Sequence, residues 1–242
     1  KERLSTNLRT YGIYKEADVY ARELEITDKG VAFNLHTPEG SIPINLGIPG
    51  IFSIYNALTA TSICHNLGIS LEVIAQGLHE VKGVNGRFEL LDTGTNYSVI
   101  LDYAHTPDGL ENILKTAREF TKGRVITLFG CGGDRDDSKR PVMGEIAGKY
   151  SDLCIITSDN PRSEEPMEII TDIVPGVEKT GCSYNVIENR RSAIEYALSH
   201  AQKDDIVILA GKGHETYQIL KNETIDFDEK KIVSEILGRE HV

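Results

Sequence analysis

The sequence predicts an α/β protein, in which a small antiparallel sheet with helices precedes a Rossmann-like C-terminal domain that has a mainly parallel six-stranded sheet. Two observations predict this class. Between Val19 and Leu46, β-type runs are interrupted by turn signals, a pattern typical of antiparallel strands. After residue 84, strand-like apolar runs alternate with amphipathic helices, which is typical of a parallel sheet covered by helices on both faces.

The division between the two parts is predicted near residue 84. A glycine-rich stretch at 82–86 has the composition of a linker, and the character of the sequence changes after it. We therefore expect two domains, 1–84 and 85–242.

In the first part, turns are predicted at Asp28-Lys29-Gly30 and at Pro38-Glu39-Gly40. The run 51–66, which ends before Gly68, predicts a helix, and 71–80 predicts a second, shorter helix.

In the second part, the predicted strands are 88–91, 97–101, 125–129, 153–157, 184–187 and 206–209. Helices with one apolar face are predicted around 110–117, 143–150 and 194–201 from the i, i+3, i+4, i+7 spacing. Thr106 and Pro107 form a good N-cap and N1 pair for the first of these helices.

Polar loops follow three of the predicted strands, at 130–137, 159–162 and 211–215. Ligands of open α/β sheets bind at the carboxyl ends of the strands. We therefore expect these loops to meet at one edge of the sheet.

The side chains of these loops suit a zwitterion. Arg162 offers a planar fork for a carboxylate, and Asp159 and Glu215 offer acceptors for an ammonium group. Alternatively, Asp159-Asn160-Pro161 is a simple turn whose charges are solvated. The residue types alone leave both interpretations open.

Two common nucleotide-binding motifs are absent from the sequence. The dinucleotide fingerprint needs a glycine where Arg135 stands, which argues against a nicotinamide enzyme. No GxxxxGK[ST] occurs, because Lys212 lies between glycines without the Ser or Thr. His105 and His214 lie in loops, where a structural hydrogen bond is the more common role of a histidine, and neither is assigned as a base.

The charge of the chain limits its partners. The 26 basic and 37 acidic residues give a net charge of −11, which makes nucleic acids and anionic membranes poor candidates. No apolar run is long enough to insert into a membrane, and the four cysteines form no CxxC or zinc spacing. We expect a cytoplasmic protein with reduced thiols and no metal ligands in this chain.

Six motifs together resemble the Mur ligase family over nearly the whole chain. They are Asn56-Ala57-Leu58-Thr59-Ala60, Gly86-Arg87-Phe88-Glu89, the run from Asp102 to Asp108, GCGGDRD at 130–136 with Lys139-Arg140-Pro141, DNPR at 159–162, and GKGHE at 211–215.

The resemblance implies an ATP-dependent acid–amino-acid ligase of peptidoglycan biosynthesis. In the family's reaction, ATP phosphorylates the D-glutamate γ-carboxyl of UDP-N-acetylmuramoyl-L-Ala-D-Glu, and an amino group of the incoming amino acid then attacks the acyl phosphate. Mg²⁺ offsets the charge that develops. The implied cofactors are therefore ATP and Mg²⁺, and the first part of the chain is implied to be the latter part of an ATP-binding central domain.

The resemblance also implies roles for single residues. Asn56 resembles a residue that contacts adenine, Arg87 the candidate catalytic residue that reaches the ATP phosphates, and Asp102 an acceptor for ribose hydroxyls. The implied amino-acid pocket consists of Arg135, Asp159, Asn160, Pro161, Arg162, Gly211 and Glu215.

Arg162 indicates which amino acid is added. Relatives that add lysine lack Arg at this position, and meso-diaminopimelate differs from lysine by a terminal carboxylate that a guanidinium pairs with. The resemblance therefore implies meso-diaminopimelate as the substrate. A stand-alone amino-acid-binding module and a folylpolyglutamate synthetase-like ligase are the alternatives.

The family's UDP-binding domain, P-loop and carbamylated lysine have no counterpart in this sequence. The chain also begins with Lys1 rather than Met. We therefore expect a fragment that does not turn over ATP by itself.

Overall fold

The computed structural model describes residues 8–15, 17–27 and 29–239, and these fall into two compact units that divide between Gly83 and Val84. The predicted limits, 1–84 and 85–242, differ from this division by one residue. The assignment of the two parts to particular domains stays a prediction.

The first unit is built on a four-stranded sheet of order β1-β2-β3-β4. Its strands are β1 (Tyr11–Gly12), β2 (Val19–Thr27), β3 (Gly30–Thr37) and β4 (Gly40–Leu46). The last three form the predicted antiparallel meander, whereas the short β1 pairs in parallel with β2. Thr37 pairs with Gly40 across the second predicted turn, and Asp28 of the first lies outside the described residues.

Two helices follow this sheet, as predicted: α1 (Ile51–Asn66) and α2 (Leu71–Glu80). Ile54 and Leu58 of α1 are fully buried against Leu35 and Ile44 of the sheet. Burial of this apolar face accounts for the position of α1, because packing contributes more to the stability of a helix in a protein than its propensity does.

The second unit contains a six-stranded sheet of order β5-β6-β10-β7-β8-β9. Its strands are β5 (Glu89–Leu91), β6 (Ser98–Asp102), β7 (Val125–Phe129), β8 (Leu153–Ile156), β9 (Ser183–Val186) and β10 (Ile206–Ala210). All neighbouring pairs are parallel except β5 with β6, so the mainly parallel six-stranded sheet is confirmed.

Helices cover both faces of this sheet. They are α3 (Pro107–Phe120), α4 (Lys139–Tyr150), α5 (Pro166–Glu178), α6 (Arg190–His200) and α7 (Glu229–Leu237). Ile194 of α6 and Val233 of α7 are buried with Ile126 and Leu128 of β7, while α4 packs between α3 and α5 on the other face. Thr106 caps α3 by accepting a hydrogen bond from Gly109 N, as predicted.

Three elements of the second unit were not predicted: α5, α7 and a hairpin of β11 (Tyr217–Ile219) with β12 (Thr224–Asp226). Helix α5 contains Pro175 followed by Gly176, a pair that normally indicates a helix end. Here Gly176 lies against the backbone of α4, because a Cβ on it would be 1.9 Å from Pro141 O. Close packing of two helices outweighs the local signal of the sequence.

Gly176→Ala is expected to destabilise the protein by about 1–3 kcal/mol, because the new methyl group would overlap backbone rather than a movable side chain. The free energy of unfolding in denaturant measures this. Gly77 in α2 is a matched control, since a Cβ there meets nothing within 4 Å. Its replacement by Ala should stabilise a helix by up to about 1 kcal/mol. Equal effects of the two changes would contradict the packing account.

All four cysteines are free thiols. Cys131 and Cys154 are buried, and burial raises the pKa of Cys131 to about 12. These two thiols pack in the core, as expected. Among the residues with a described structure, no helix has the length and apolar character that crossing a bilayer requires.

Candidate functional site

The three polar loops of the second unit meet at the carboxyl ends of β7, β8 and β10, as predicted from the strand order. They enclose a pocket of about 360 Å³. Its lining comprises Tyr103, His105, Thr106, Gly132, Arg135, Asp136, Lys139, Asp159, Asn160, Arg162, Gly211 and Glu215. Six of the seven residues predicted for an amino-acid pocket are therefore brought together. The seventh, Pro161, is buried and does not line the pocket.

One part of the lining is acidic. Asp159 is only 6% exposed, and Glu215 lies near it with its carboxylate held by Asn160 Nδ2 at 3.0 Å. Both carboxylates lie close to the buried ammonium of Lys212, at 3.5 Å for Asp159 and 3.6 Å for Glu215. Two carboxylates beside one cation leave an excess negative charge, which suits an ammonium group of a ligand.

Another part of the lining is basic. Arg162 donates from Nη1 to Gly133 O at 2.8 Å and to Asn160 O at 3.3 Å. In the described part of the chain, Nε and Nη2 of Arg162 have no protein acceptor. This edge of the guanidinium is the pair of donors that binds a carboxylate in a bidentate way. Arg135 adds a second, exposed cation to the same pocket.

Asn160 connects the loops. Its Oδ1 accepts hydrogen bonds from Lys212 Nζ at 3.1 Å and Ile219 N at 2.9 Å, and its carbonyl accepts from Gly133 N at 2.9 Å. The two bonds to Oδ1 and the bond from Nδ2 to Glu215 use most of the hydrogen-bonding capacity of the side chain. Asn160 therefore holds the shape of the pocket, and direct contact with a ligand stays a prediction.

Gly211 is required by its surroundings. Its φ is +117°, which favours glycine, and a Cβ at this position would lie 2.7 Å from Asp159 Oδ2. The backbone of the third loop therefore passes directly beside the acidic side chain of the second.

Two residues important to this site were not identified from the sequence. Lys212 was considered only as part of an incomplete phosphate-binding motif, yet its side chain is fully buried below the pocket. Arg190, also buried, donates to Ala210 O at 2.9 Å and to Ser158 O at 3.4 Å. It thus connects the ends of β10 and β8. Because Lys212 and Arg190 are charged residues, the sequence alone gives no indication that they are buried.

The residues predicted to bind nucleotide lie outside the lining of this pocket. Asn56 is exposed on α1 of the first unit. In the second unit, Arg87 is exposed, with its guanidinium 4.8 Å from the ring centre of Tyr103. Asp102 accepts a hydrogen bond from Phe88 N at 2.7 Å, and burial raises the pKa of its carboxyl group. Arg87 keeps an accessible positive charge that fits a phosphate, whereas part of the Asp102 carboxylate is already used by the backbone.

Within the described ranges, no group of three or more His, Cys, Asp and Glu side chains is arranged to hold a metal ion.

Two family descriptions match the sequence. Residues 86–213 match the Mur ligase, glutamate ligase domain, and residues 1–64 match the Mur ligase middle domain. The first match alone covers more than half of the chain. The chain belongs to the Mur ligase family. The resemblance seen in the six motifs is thereby confirmed, and so is the α/β fold.

Several similar proteins carry the name UDP-N-acetylmuramoyl-L-alanyl-D-glutamate–2,6-diaminopimelate ligase. The chain is 56% identical over 229 residues to that of Caldanaerobacter subterraneus subsp. tengcongensis, covering 95% of the chain and 47% of the relative. It is 54% identical over 230 residues to that of Syntrophomonas wolfei, with coverage of 95% and 47%. A solved structure with this name has a TM-score of 0.71 at 34% identity, and the match covers 95% of the chain and 47% of that protein. The chain spans about half the length of the curated relatives that it matches.

Folylpolyglutamate synthases share the fold alone. The solved structure from Thermotoga maritima is 24% identical with a TM-score of 0.60, covering 82% of this chain and 44% of that protein. The comparisons therefore do not favour a folylpolyglutamate synthetase-like ligase or a stand-alone binding module.

Proposed function

We propose that this chain forms the amino-acid-binding part, and some of the ATP-binding part, of a cytoplasmic ligase. The ligase joins meso-diaminopimelate to the D-glutamate γ-carboxyl of UDP-N-acetylmuramoyl-L-Ala-D-Glu. One observation carries this proposal: a single pocket presents an open guanidinium edge at Arg162 and an acidic pair, Asp159 and Glu215. The similar proteins named as diaminopimelate ligases support it.

The pocket matches the chemistry that distinguishes diaminopimelate from lysine. The far end of diaminopimelate carries both an ammonium and a carboxylate, whereas lysine carries an ammonium only. Arg162 binds that carboxylate in a bidentate way, and Asp159 and Glu215 receive the ammonium. A lysine in the same place leaves the guanidinium without a counter-charge, and the guanidinium repels the ammonium.

The remaining amino group of diaminopimelate is the nucleophile. Binding of the far end at three points orients the rest of the molecule, so that the free amino group approaches the activated carboxyl in one direction. The pocket therefore acts by positioning the amino acid. Such positioning can lower the activation barrier of a reaction between two bound substrates by a large amount.

ATP supplies the phosphate that converts the γ-carboxyl into an electrophile. Arg87, with its exposed guanidinium over Tyr103, is the residue of the second unit that would hold a phosphate group. Asn56 and Asp102 would contact the nucleoside by an amide and a carboxylate. The family resemblance implies that the main ligands of Mg²⁺ lie outside this chain. Within the described residues, no group of acidic side chains is arranged to hold a metal ion.

Incorporation of labelled amino acids by a full-length ligase that contains this chain tests the proposal. With UDP-N-acetylmuramoyl-L-Ala-D-Glu and ATP present, we expect kcat/KM for meso-diaminopimelate to exceed that for L-lysine by about 100-fold or more, as a site built around a charged group discriminates strongly. Equal efficiency with the two amino acids would refute the proposed substrate.

A further inference from the structure

Lys212 lies beneath the acidic part of the pocket. Its side chain is fully buried, and Nζ donates to Tyr217 O at 2.8 Å and Asn160 Oδ1 at 3.1 Å. The Asp159 and Glu215 carboxylates are at 3.5 and 3.6 Å. Four oxygen atoms around one nitrogen match the three N–H groups of an ammonium better than the two of a neutral amine.

The charges around Lys212 come from several elements. Asp159 follows β8 and Glu215 lies in the same loop as Lys212. Arg190 at the start of α6 and Glu229 at the start of α7 are buried nearby and pair with each other at 2.8 Å, so their charges cancel. Tyr217 and Tyr103 are the titratable phenols of this region, and Tyr103 Oη lies 3.4 Å from Glu215 Oε1. Burial lowers the pKa of Lys212, and the carboxylates of Asp159 and Glu215 act in the opposite direction.

The cluster of Asp159, Lys212 and Glu215 therefore has a net charge of −1 when all three groups are ionised. One ammonium group from a ligand brings this charge to zero. Without Lys212, the buried carboxylate of Asp159 and the largely buried carboxylate of Glu215 would have no cation between them, and this favours the uptake of one proton by the pair. A protonated carboxyl group is a poorer acceptor for an ammonium.

We propose that Lys212 is a positioning residue that keeps both Asp159 and Glu215 ionised and aimed at the ammonium of the incoming amino acid, without touching that substrate itself. The inference rests on the proposed function, since it assigns the ammonium to diaminopimelate. Beyond the proposed function, the inference assigns a role to Lys212, the lysine between the two glycines of the third loop.

The pH dependence of KM for diaminopimelate tests this inference in the full-length ligase. For Lys212→Met we expect KM to rise by about ten-fold near neutral pH, with kcat changed much less, because an uncharged residue leaves the carboxylate pair without its counter-charge. KM of the variant should then fall as the pH rises from about 6 to 8.5, while KM of the unchanged protein stays level over this range.

Two further variants separate charge from shape. Lys212→Arg keeps the positive charge and should keep KM level with pH, even if its larger size raises KM. Lys203→Met removes an exposed lysine of the same unit and should change neither KM nor its pH dependence. A Lys212→Met protein whose KM is unchanged, or is raised equally at every pH, would overturn the inference.

A stability measurement covers the case in which Lys212→Met folds poorly. The double change Lys212→Met with Asp159→Asn leaves only the Glu215 carboxylate in the cluster, which removes the repulsion between the two carboxylates, and should melt at a higher temperature than Lys212→Met alone. If Asp159→Asn gives no such rescue, the inference fails. This comparison needs no substrate, so it remains informative if the ligase proves to use an amino acid other than diaminopimelate.

Discussion

Replacing Arg162 by Ala is expected to lower kcat/KM for meso-diaminopimelate by between about 30-fold and several hundred-fold, because a partly buried bidentate pair with a carboxylate contributes about 2–4 kcal/mol. Nε and Nη2 of this guanidinium, which have no acceptor among the described residues, are the atoms that make the pair. Activity with L-lysine, which we expect to be low in the unchanged protein, should stay the same or rise, since the repulsive charge has been removed.

Initial rates with the two amino acids in the full-length ligase measure this effect. Arg162→Lys is informative, because it keeps a positive charge but cannot form two parallel hydrogen bonds, and we expect an intermediate loss. Lys221→Ala is the matched control: Lys221 pairs at 2.7 Å with Glu165 outside the pocket lining, and both side chains are more than half exposed. An Arg162→Ala enzyme that retains its preference for diaminopimelate would show that another group reads the carboxylate.

Replacing Arg190 by Met is expected to destabilise the protein by about 3–5 kcal/mol, because it leaves Glu229 as an uncompensated buried charge. Arg190 and Glu229 are both about 1% exposed, with Arg190 Nε 2.8 Å from Glu229 Oε1. The same guanidinium holds the carbonyls of Ser158 and Ala210, which directly precede Asp159 and Gly211. The change should therefore also weaken binding in the pocket.

This loss of stability should depend on pH. Burial raises the pKa of Glu229 above its usual value, and Arg190 opposes that shift. Without Arg190 the folded-state pKa rises further, so the folded protein binds a proton that the unfolded chain releases. The stability of the variant is then greatest below the unfolded-state pKa and falls as the pH rises through the folded-state pKa. We expect a smaller deficit near pH 5 than near pH 8, measured by denaturant unfolding at both values.

The neighbouring residue provides the control for this prediction. Arg191 pairs with Glu235 at 2.7 Å, but the two side chains are 50% and 58% exposed. Arg191→Met should cost no more than about 1 kcal/mol. Adding Glu229→Leu to Arg190→Met should recover much of the loss, since an apolar pair often replaces a buried ion pair without penalty. Similar losses for Arg190→Met and Arg191→Met would contradict the structural role given to Arg190.

The sheet and its principal helices follow directly from local patterns in the sequence. The strands at the centre are continuous apolar runs, and helices such as α3 bury a stripe at regular spacing, so their type can be inferred residue by residue. Helix α5 could not be inferred in this way, because Pro175-Gly176 suggests a helix end and only the backbone of α4 explains the glycine. The β11–β12 hairpin is short and lacks a long apolar alternation.

The side chains that face the pocket could also be predicted from the sequence, because strand order alone places Asp159, Arg162 and Glu215 at one edge. The buried residues that hold these side chains in place could not be predicted. Lys212 and Arg190 are charged residues that the sequence offers as ordinary surface groups, and their burial depends on partners 52 and 39 positions away in the chain. Charge compensation over such distances becomes visible only when the fold is known.

A crystal structure of a full-length ligase containing this chain with meso-diaminopimelate bound tests the central claim most directly. We predict that the amino acid occupies the pocket between the loops 130–137, 159–162 and 211–215, with one carboxylate on Nε and Nη2 of Arg162 and the adjacent ammonium between Asp159 and Glu215. Diaminopimelate bound elsewhere, or bound here with its terminal carboxylate away from Arg162, would contradict the account.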